Sequence, residues 1–311
     1  MKRVCRIAWV IVMIVAVLLV VLTGASFYML DFSLSPDPTR ENTDSCYRQL
    51  YEDYPETAEW ADSLRRKDGL RDTFLTMASG ERHHAYYVNK GSQKTALVLH
   101  GWRDQAIKFF YLGRMYEREL GYNIVMPDLH ACGKSEGEAI GMGWNDRQDV
   151  MQWMQTFQTD TMVVHGISMG AATTMMLSSM QKPDGVKDIR FIEDCGYTSV
   201  WDEFAGQLKE QFGLPAFPLL YTTSLLCQLR YGWSFVEASA LNEVAKCHYP
   251  MLFIHGGKDN FVPTEMVYRL YDAKPEPKVL WVVPDADHAL SYKTHQAEYT
   301  AKVRDFLMTI Q

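Results

Sequence analysis

Residues 166–170 have the sequence Gly-Ile-Ser-Met-Gly, and this stretch decides which fold the chain is predicted to have. An apolar run that ends at Val164 precedes it, and a helical pattern begins near Ala171. A serine nucleophile on the turn between a strand and a helix needs this spacing, because the turn is so tight that the flanking side chains must be small. The alternative role for Ser168 is a helix N-cap, but the strand before it and the helix after it favour a nucleophile.

Short apolar runs on both sides of this stretch predict the other strands of a sheet. Helical stretches separate them, which indicates parallel strands covered on both faces, since each parallel connection needs a crossover. Residues 73–77 and 85–88 are separated by a turn-like Ser79-Gly80 and predict an antiparallel hairpin. The six predicted parallel strands are residues 96–99, 123–126, 161–164, 189–192, 251–254 and 279–283. The predicted fold class is α/β, with a mostly parallel central sheet flanked by helices.

Composition and charge exclude several classes of protein. Of the 311 residues, 47% are hydrophobic and 22% are charged, which is usual for a globular chain and excludes a disordered or fibrous one. The net charge is -7, and since the first thirty residues carry three positive charges and no negative ones, residues 31–311 carry -10. A body this acidic is a poor binder of nucleic acid. The six cysteines form no CxxC pair and no Cys/His cluster at zinc spacing, so the sequence predicts no metal site.

The N-terminal segment predicts a membrane anchor. Residues 7–22 are apolar throughout, and no charge occurs from residue 7 to residue 30. Because about 20 such residues span the core of a bilayer as a helix, residues 1–30 are predicted to be a transmembrane helix. A cleaved signal peptide is the alternative, since residues 24–26 are small, but the apolar run exceeds the roughly 7 to 15 residues of a signal core.

The charges beside this segment predict its orientation. All the basic residues of the first thirty precede it and Asp31 follows it, so the positive-inside rule places the rest of the chain on the extracytoplasmic side of a single-pass membrane protein. Residues 31–70 are predicted to be a linker, with Pro36 and Pro38, followed by two short helices. Residues 71–311 are predicted to form the α/β domain.

A cap insertion is predicted within this domain. About sixty residues separate the predicted strands at 189–192 and 251–254, which is more than a crossover helix needs. We therefore predict a helical cap at about residues 197–248. Its central part, residues 213–236, is rich in large apolar side chains and has Arg230 as its only charge. A second transmembrane helix is the alternative, which the prolines and polar residues of this part disfavour.

A serine nucleophile needs a base, and the base needs an orienting acid, in the chain order Ser, Asp, His for this architecture. Asp259 follows the next-to-last predicted strand and His288 follows the last one, so both fall where the acid and the base belong. Asp285 and Asp287 compete for the acid role, but they are too close to His288 along the chain to approach its ring easily. Three other histidines are predicted to lie at the surface, namely His83, His84 and His295.

Three longer motifs resemble the α/β-hydrolase superfamily, and the resemblance runs from about residue 72 to residue 311. The motifs are residues 128–137 (DLHACGKSEG), 141–147 (GMGWNDR) and 193–199 (EDCGYTS). They are similar to membrane-anchored bacterial serine hydrolases near the cinnamoyl and acyl esterases. Residues 130–133 depart from that family, since they are His-Ala-Cys-Gly where Arg-Gly-His-Gly is frequent.

The resemblance implies a set of site residues. Ser168, Asp259 and His288 would form the catalytic triad, and the backbone N–H groups of Trp102 and Met169 would form the oxyanion hole. This chemistry proceeds through an acyl-enzyme intermediate and requires no metal and no organic cofactor.

The apolar cap predicts the substrate class. Each buried CH₂ contributes about 0.8 kcal/mol, so a pocket below such a cap favours apolar or aromatic acyl groups over short or charged ones. We therefore predict a carboxylesterase-like serine hydrolase that acts on small-molecule esters. A serine peptidase or aminopeptidase on the same triad is one alternative. A non-catalytic, membrane-tethered binding protein is another, and the complete triad argues against it.

Overall fold

A computed structural model describes the backbone of residues 2–309 and the side chains of residues 6–308. The strands in this part of the chain are β1 (Arg71–Thr76), β2 (Arg82–Val88), β3 (Lys94–Leu99), β4 (Asn123–Pro127), β5 (Thr161–Ile167), β6 (Asp188–Asp194), β7 (Met251–Gly256) and β8 (Lys278–Val283). They form one sheet with the order β1-β2-β4-β3-β5-β6-β7-β8. β2 is antiparallel to β1 and to β4, and the other neighbouring strands are parallel. The predicted hairpin and all six predicted parallel strands are thus confirmed.

Helices cover both faces of this sheet. They are α1 (Lys2–Leu34), α2 (Thr43–Asp53), α3 (Pro55–Arg66), α4 (Phe110–Arg114), α5 (Asp146–Thr156), α6 (Met169–Leu177), α7 (Val200–Phe212), α8 (Leu219–Tyr231), α9 (Ala240–Val244), α10 (Glu265–Ala273), α11 (Ser291–Thr294) and α12 (Gln296–Thr309). A 3₁₀ turn and a π-helical turn flank α4, at Ala106–Phe109 and Met115–Leu120. In β3, Leu97 and Leu99 belong to one buried cluster and Ala96 and Val98 to the other, because alternate side chains point to opposite faces.

The N-terminal helix α1 has two parts with different surroundings. Its side chains from residue 6 to residue 21 are exposed, whereas Ser26, Leu30 and Leu34 are buried against the rest of the protein. These three residues recur every four positions and so share one face of the helix. Packing of this face continues the helix to Leu34, so the linker that the sequence predicts from Asp31 begins at Ser35.

Among residues 2–309, α1 is the one helix long and apolar enough to cross a membrane. The side chains of Lys2 and Arg3, on which the predicted orientation partly rests, lie outside the described residues, as do residues 1, 310 and 311.

Three helices lie between β6 and β7, in the segment predicted as the cap. α7 begins after Ser199, whose hydroxyl accepts a hydrogen bond from the Asp202 N–H at 3.0 Å, and ends at Gly213 in a left-handed conformation. α8 packs against α1, where the hydroxyl groups of Ser26 and Thr222 are 2.7 Å apart. The N-terminal helix α1 and the helix α8 are therefore in direct contact.

The prediction that His83 and His84 lie at the surface is wrong. Their side chains are buried, because β2 is an inner strand that pairs with β1 on one side and β4 on the other. The His84 ring nitrogens are each 2.8 Å from a carboxylate oxygen, one from Asp72 and one from Asp128.

Candidate active site

The turn between β5 and α6 holds Ser168 in a strained conformation. Its φ and ψ are 55° and -117°, values that a residue with a side chain rarely adopts. A Cβ atom added at Gly166 would lie 2.0 Å from the Gly170 carbonyl oxygen, and one at Gly170 would lie 2.2 Å from the Leu99 carbonyl oxygen. Only glycine fits at either position, which is the physical reason for the predicted pattern.

Two loops at the carboxyl ends of β7 and β8 bring the other predicted residues to Ser168. The Ser168 Oγ atom is 2.9 Å from Nε2 of His288, and Nδ1 of His288 is 2.7 Å from Oδ2 of Asp259. The second carboxylate oxygen of Asp259 accepts hydrogen bonds from the N–H groups of Phe261 and Val262 at 3.0 and 2.9 Å. The three side chains thus form a continuous hydrogen-bonded row.

Asp259 is ionised in this arrangement. Burial by itself would raise the pKa of its carboxyl, but hydrogen bonds from His255 and His288 outweigh burial and lower the pKa to about 2. Because the carboxylate can only accept, the Nδ1–H of His288 donates to it, and Nε2 is left to accept the proton of the Ser168 hydroxyl.

His255 supports Asp259 from a second side. Its Nε2–H is shared between the Val262 carbonyl oxygen at 2.9 Å and Oδ2 of Asp259 at 3.4 Å. The sequence does not predict this role of His255, although its position four residues before Asp259 could have indicated the contact. The competing acids Asp285 and Asp287 are exposed, and Asp285 pairs with His295 at 2.7 Å.

The two residues predicted to supply backbone donors lie beside the serine. A Cβ atom added at Gly101 would lie 3.6 Å from Cβ of Ser168, so the turn before Trp102 lies against the serine. Met169 is the first residue of α6, and the first N–H groups of a helix have no acceptor within it. Trp102 and Met169 both line the cavity that contains Ser168.

This cavity has a volume of about 160 Å³ and is mostly apolar. The cap supplies most of one side, including Phe204, Leu208, Phe212, Leu219, Leu220 and Phe235. The end of α1 supplies another wall through Met29, Phe32 and Ser33. The sequence offers no sign of this second wall, because an apolar N-terminal run looks the same whether or not its end packs on the domain.

Glu203 is the one ionisable carboxyl among the described residues that line the cavity. Burial raises the pKa of its carboxyl to about 8, so the group is neutral at pH 7. Its Oε1 atom accepts a hydrogen bond from Gln207 at 3.0 Å, and its Oε2 atom has no hydrogen-bond partner among residues 6–308.

Two groups of three side chains among the described residues are close enough to hold a metal ion. Cys195, Asp259 and His288 form one, although Asp259 and His288 are already engaged with each other and with Ser168. Glu81, His83 and His130 form the other. The five cysteines from Cys46 onward are buried and free.

Several known proteins are similar to this chain in sequence. Residues 96–302 match the alpha/beta hydrolase family. The uncharacterised protein YqkD of Bacillus subtilis is 30% identical over 218 residues, which cover 68% of this chain and 70% of that protein. An uncharacterised membrane protein of Saccharomyces cerevisiae is 25% identical over 71% of this chain and 72% of its own length.

Solved structures share the fold. An esterase of Pyrococcus furiosus superposes with a TM-score of 0.60 at 22% identity, covering 76% of this chain and 91% of that one. An acylaminoacyl peptidase of Pyrococcus horikoshii superposes with a TM-score of 0.57 at 16% identity, covering 79% of this chain and 43% of that one. From the matching sequence, the eight-stranded sheet of residues 2–309 and the strained serine turn, we conclude that the chain belongs to the alpha/beta hydrolase family and has its fold.

Proposed function

We propose that this protein is a serine hydrolase that cleaves carboxylic esters of apolar or aromatic acyl groups through an acyl-enzyme intermediate. The observation that carries the proposal is the row of two hydrogen bonds, 2.9 and 2.7 Å long, that joins Ser168, His288 and Asp259 at an apolar cavity.

The proposed reaction uses each of these groups in turn. The Ser168 Oγ attacks the ester carbonyl carbon while Nε2 of His288 takes the hydroxyl proton, and Asp259 stabilises the imidazolium. The N–H groups of Met169 and Trp102 hold the oxyanion, each contributing about 3 to 4 kcal/mol. The bond to the alcohol oxygen then breaks, and His288 returns its proton to the leaving alcohol. Water, activated by the same histidine, releases the acid and restores Ser168.

The cavity supports an apolar acyl group. Its walls are mostly Phe, Leu and Met side chains, and its buried carboxyl at Glu203 is neutral at pH 7 because its pKa is about 8. A charged substrate group would lose its hydration there without gaining a partner of opposite charge. An acyl chain gains from every CH₂ that it buries.

We also propose that residues 1–30 anchor the protein in a membrane, with α1 continuing to Leu34, residues 35–70 as linker and lead-in, and residues 71–311 as the catalytic domain on the extracytoplasmic side. The apolar side chains of α1 between residues 7 and 21 are exposed, and a bilayer would cover them. The basic residues ahead of this segment favour the cytoplasm for the N-terminus.

Hydrolysis of p-nitrophenyl esters from acetate to decanoate by the full-length protein tests the proposed function. We expect kcat/KM to rise about fourfold for each added CH₂ until the cavity is full, because about 0.8 kcal/mol is gained per group. Ser168→Ala is the control and should abolish hydrolysis of every ester. A kcat/KM that stays constant or falls from acetate to octanoate would contradict the preference for apolar acyl groups. Hydrolysis by the Ser168→Ala variant would contradict the serine mechanism.

A further inference from the structure

The anchor helix is longer than a bilayer requires. Its 33 residues extend about 50 Å at 1.5 Å per residue, whereas the hydrocarbon core is about 30 Å thick. The exposed apolar part comes first, and the face with Ser26, Leu30 and Leu34 is buried against the catalytic domain. A membrane that covers the first part therefore ends where the helix contacts the domain.

The cap helix α8 lies beside this last part of α1. The hydroxyl groups of Ser26 and Thr222 are 2.7 Å apart, and α1 carries no charge after Arg6 until Asp31. α8 itself carries no charge until Arg230, which pairs with Glu138 at 2.7 Å. The first charge after the apolar part is thus Asp31 in α1 and Arg230 in α8.

The uncharged part of α8 presents an exposed apolar face. Three residues at four-residue spacing form it, and we call them the α8 stripe: Tyr221, Leu225 and Leu229, which are 56%, 55% and 77% exposed. Such a contiguous apolar surface on a protein marks a contact with a partner or a membrane. α8 packs against α1, whose exposed apolar side chains the proposed anchor places in the bilayer, so the same bilayer is the occupant that fits the stripe.

The rim of the cavity that contains Ser168 includes side chains of α1 and of the helices between β6 and β7. Phe32 of α1 and Phe212 of α7 meet with ring centres 5.8 Å apart, both line the cavity, and they are 36% and 40% exposed. Met29 of α1 and Leu219 of α8 line the cavity further in. Both α1 and α8, the two helices that a bilayer would cover, therefore contribute side chains to the cavity that contains Ser168.

We propose that the α8 stripe docks the cap into the outer part of the bilayer that α1 crosses, and that the substrate is a membrane-dissolved ester whose acyl chain passes from the lipid between α1 and the cap to Ser168. This inference rests on the proposed function and names its substrate class, a long-chain acyl ester held in the membrane. A cavity without a charged wall admits the chain and leaves a polar head group at the membrane surface.

The test uses the full chain in phosphatidylcholine vesicles with two substrates, p-nitrophenyl palmitate dissolved in the bilayer and p-nitrophenyl butyrate supplied from water. The variant is Leu225→Asp with Leu229→Asp, since neither residue lines the cavity. The matched control is Met308→Asp, an apolar residue of α12 that is 69% exposed. We expect the ratio of palmitate to butyrate turnover to fall at least tenfold in the stripe variant and to stay unchanged in the control.

Three outcomes are decisive. Hydrolysis of both esters with an unchanged ratio in the stripe variant overturns the route from the bilayer and leaves the proposed function standing. Hydrolysis of neither ester by the unsubstituted protein overturns the proposed function, and the substrate assignment with it. A tenfold lower ratio, with the melting temperature of the variant maintained, supports the inference.

A second measurement needs no catalysis and reports the docking itself. An environment-sensitive fluorophore is attached at Leu225→Cys, and at Met308→Cys as the control, with the signal of the unsubstituted protein subtracted. We expect nitroxide-labelled lipids to quench the fluorophore at position 225 and not at position 308. A fluorophore at 225 that stays in water and is not quenched would overturn the docking.

Discussion

The indole N–H of Trp102 donates a hydrogen bond to the main-chain oxygen of Ser33 at 2.9 Å. The neighbouring Arg103 donates to the main-chain oxygens of Phe32 and Ser35 at 2.9 and 3.0 Å. The loop that carries a proposed oxyanion donor is therefore hydrogen-bonded to the end of α1. Since Met29, Phe32 and Ser33 also line the cavity, the end of this helix is a structural part of the site.

Shortened chains should show how much the site depends on the end of α1. A chain that begins at Gly24 keeps the cavity wall and these hydrogen bonds, whereas a chain that begins at Ser35 loses the wall and two of the three bonds. We expect kcat/KM for a decanoate ester to be at least about tenfold lower in the shorter chain, a loss of about 1.4 kcal/mol. Steady-state kinetics of the two purified chains measure this difference. Equal kcat/KM values for the two chains would show that the end of α1 does not contribute to the site.

Asp259→Asn should lower kcat by roughly 10³- to 10⁴-fold with little change in KM, because it disturbs the tautomer and removes the charge that stabilises the imidazolium. Asp287→Asn changes an exposed carboxyl in the same loop as His288 and serves as the control, with near-normal turnover expected. Kinetics with p-nitrophenyl octanoate measure both variants. Normal turnover in Asp259→Asn, with a loss in Asp287→Asn, would move the acid to Asp287.

Gly166→Ala should destabilise the protein by about 3 kcal/mol or more, since the added Cβ would lie 2.0 Å from the Gly170 carbonyl oxygen. Gly206→Ala is the matched control. Gly206 lies inside α7 with nothing within 4 Å of an added Cβ, so alanine should stabilise the protein by about 0.5 to 1 kcal/mol. Thermal unfolding separates the two, and an unchanged melting temperature in Gly166→Ala would contradict the geometry of the turn.

Glu203 should make stability fall as the pH rises. Burial raises the pKa of its carboxyl from 4.5 to about 8, so the folded protein holds a proton that the unfolded chain releases across this range. The stabilisation is complete below pH 4.5 and is lost as the pH rises to about 8. Glu203→Gln mimics the neutral carboxyl. At pH 8 we expect this variant to have a free energy of unfolding about 1 kcal/mol higher than the parent, and therefore a melting temperature roughly 2 °C or more higher. If the melting temperatures of the parent and the variant depend on pH in the same way, the raised pKa of the Glu203 carboxyl is contradicted.

The strands and the serine turn could be predicted because their signals are local. Gly166 and Gly170 are fixed by atoms within the turn and the adjacent strand β3, and the apolar runs match the buried strands. The order Ser168, Asp259, His288 followed from the strand ends, and the structure places the three side chains within hydrogen-bond distance.

Features that depend on distant contacts could not be predicted in the same way. The contribution of Met29 to the cavity depends on packing between α1 and a cap some two hundred positions away in the chain. The burial of His83 depends on β4 pairing with β2, which sequence order does not reveal. A charged or polar residue in a hairpin gives no sign of whether a third strand covers it.

If Ser168 is a nucleophile activated by His288, the protein should react with a fluorophosphonate probe, which forms a covalent bond with an activated serine. We predict a covalent adduct that mass spectrometry locates on Ser168, no labelling of Ser168→Ala, and labelling at least about 10³-fold slower in His288→Ala, because an unassisted serine hydroxyl is a weak nucleophile. Labelling of Ser168→Ala at the parental rate, or labelling that His288→Ala leaves unchanged, would contradict this role of Ser168.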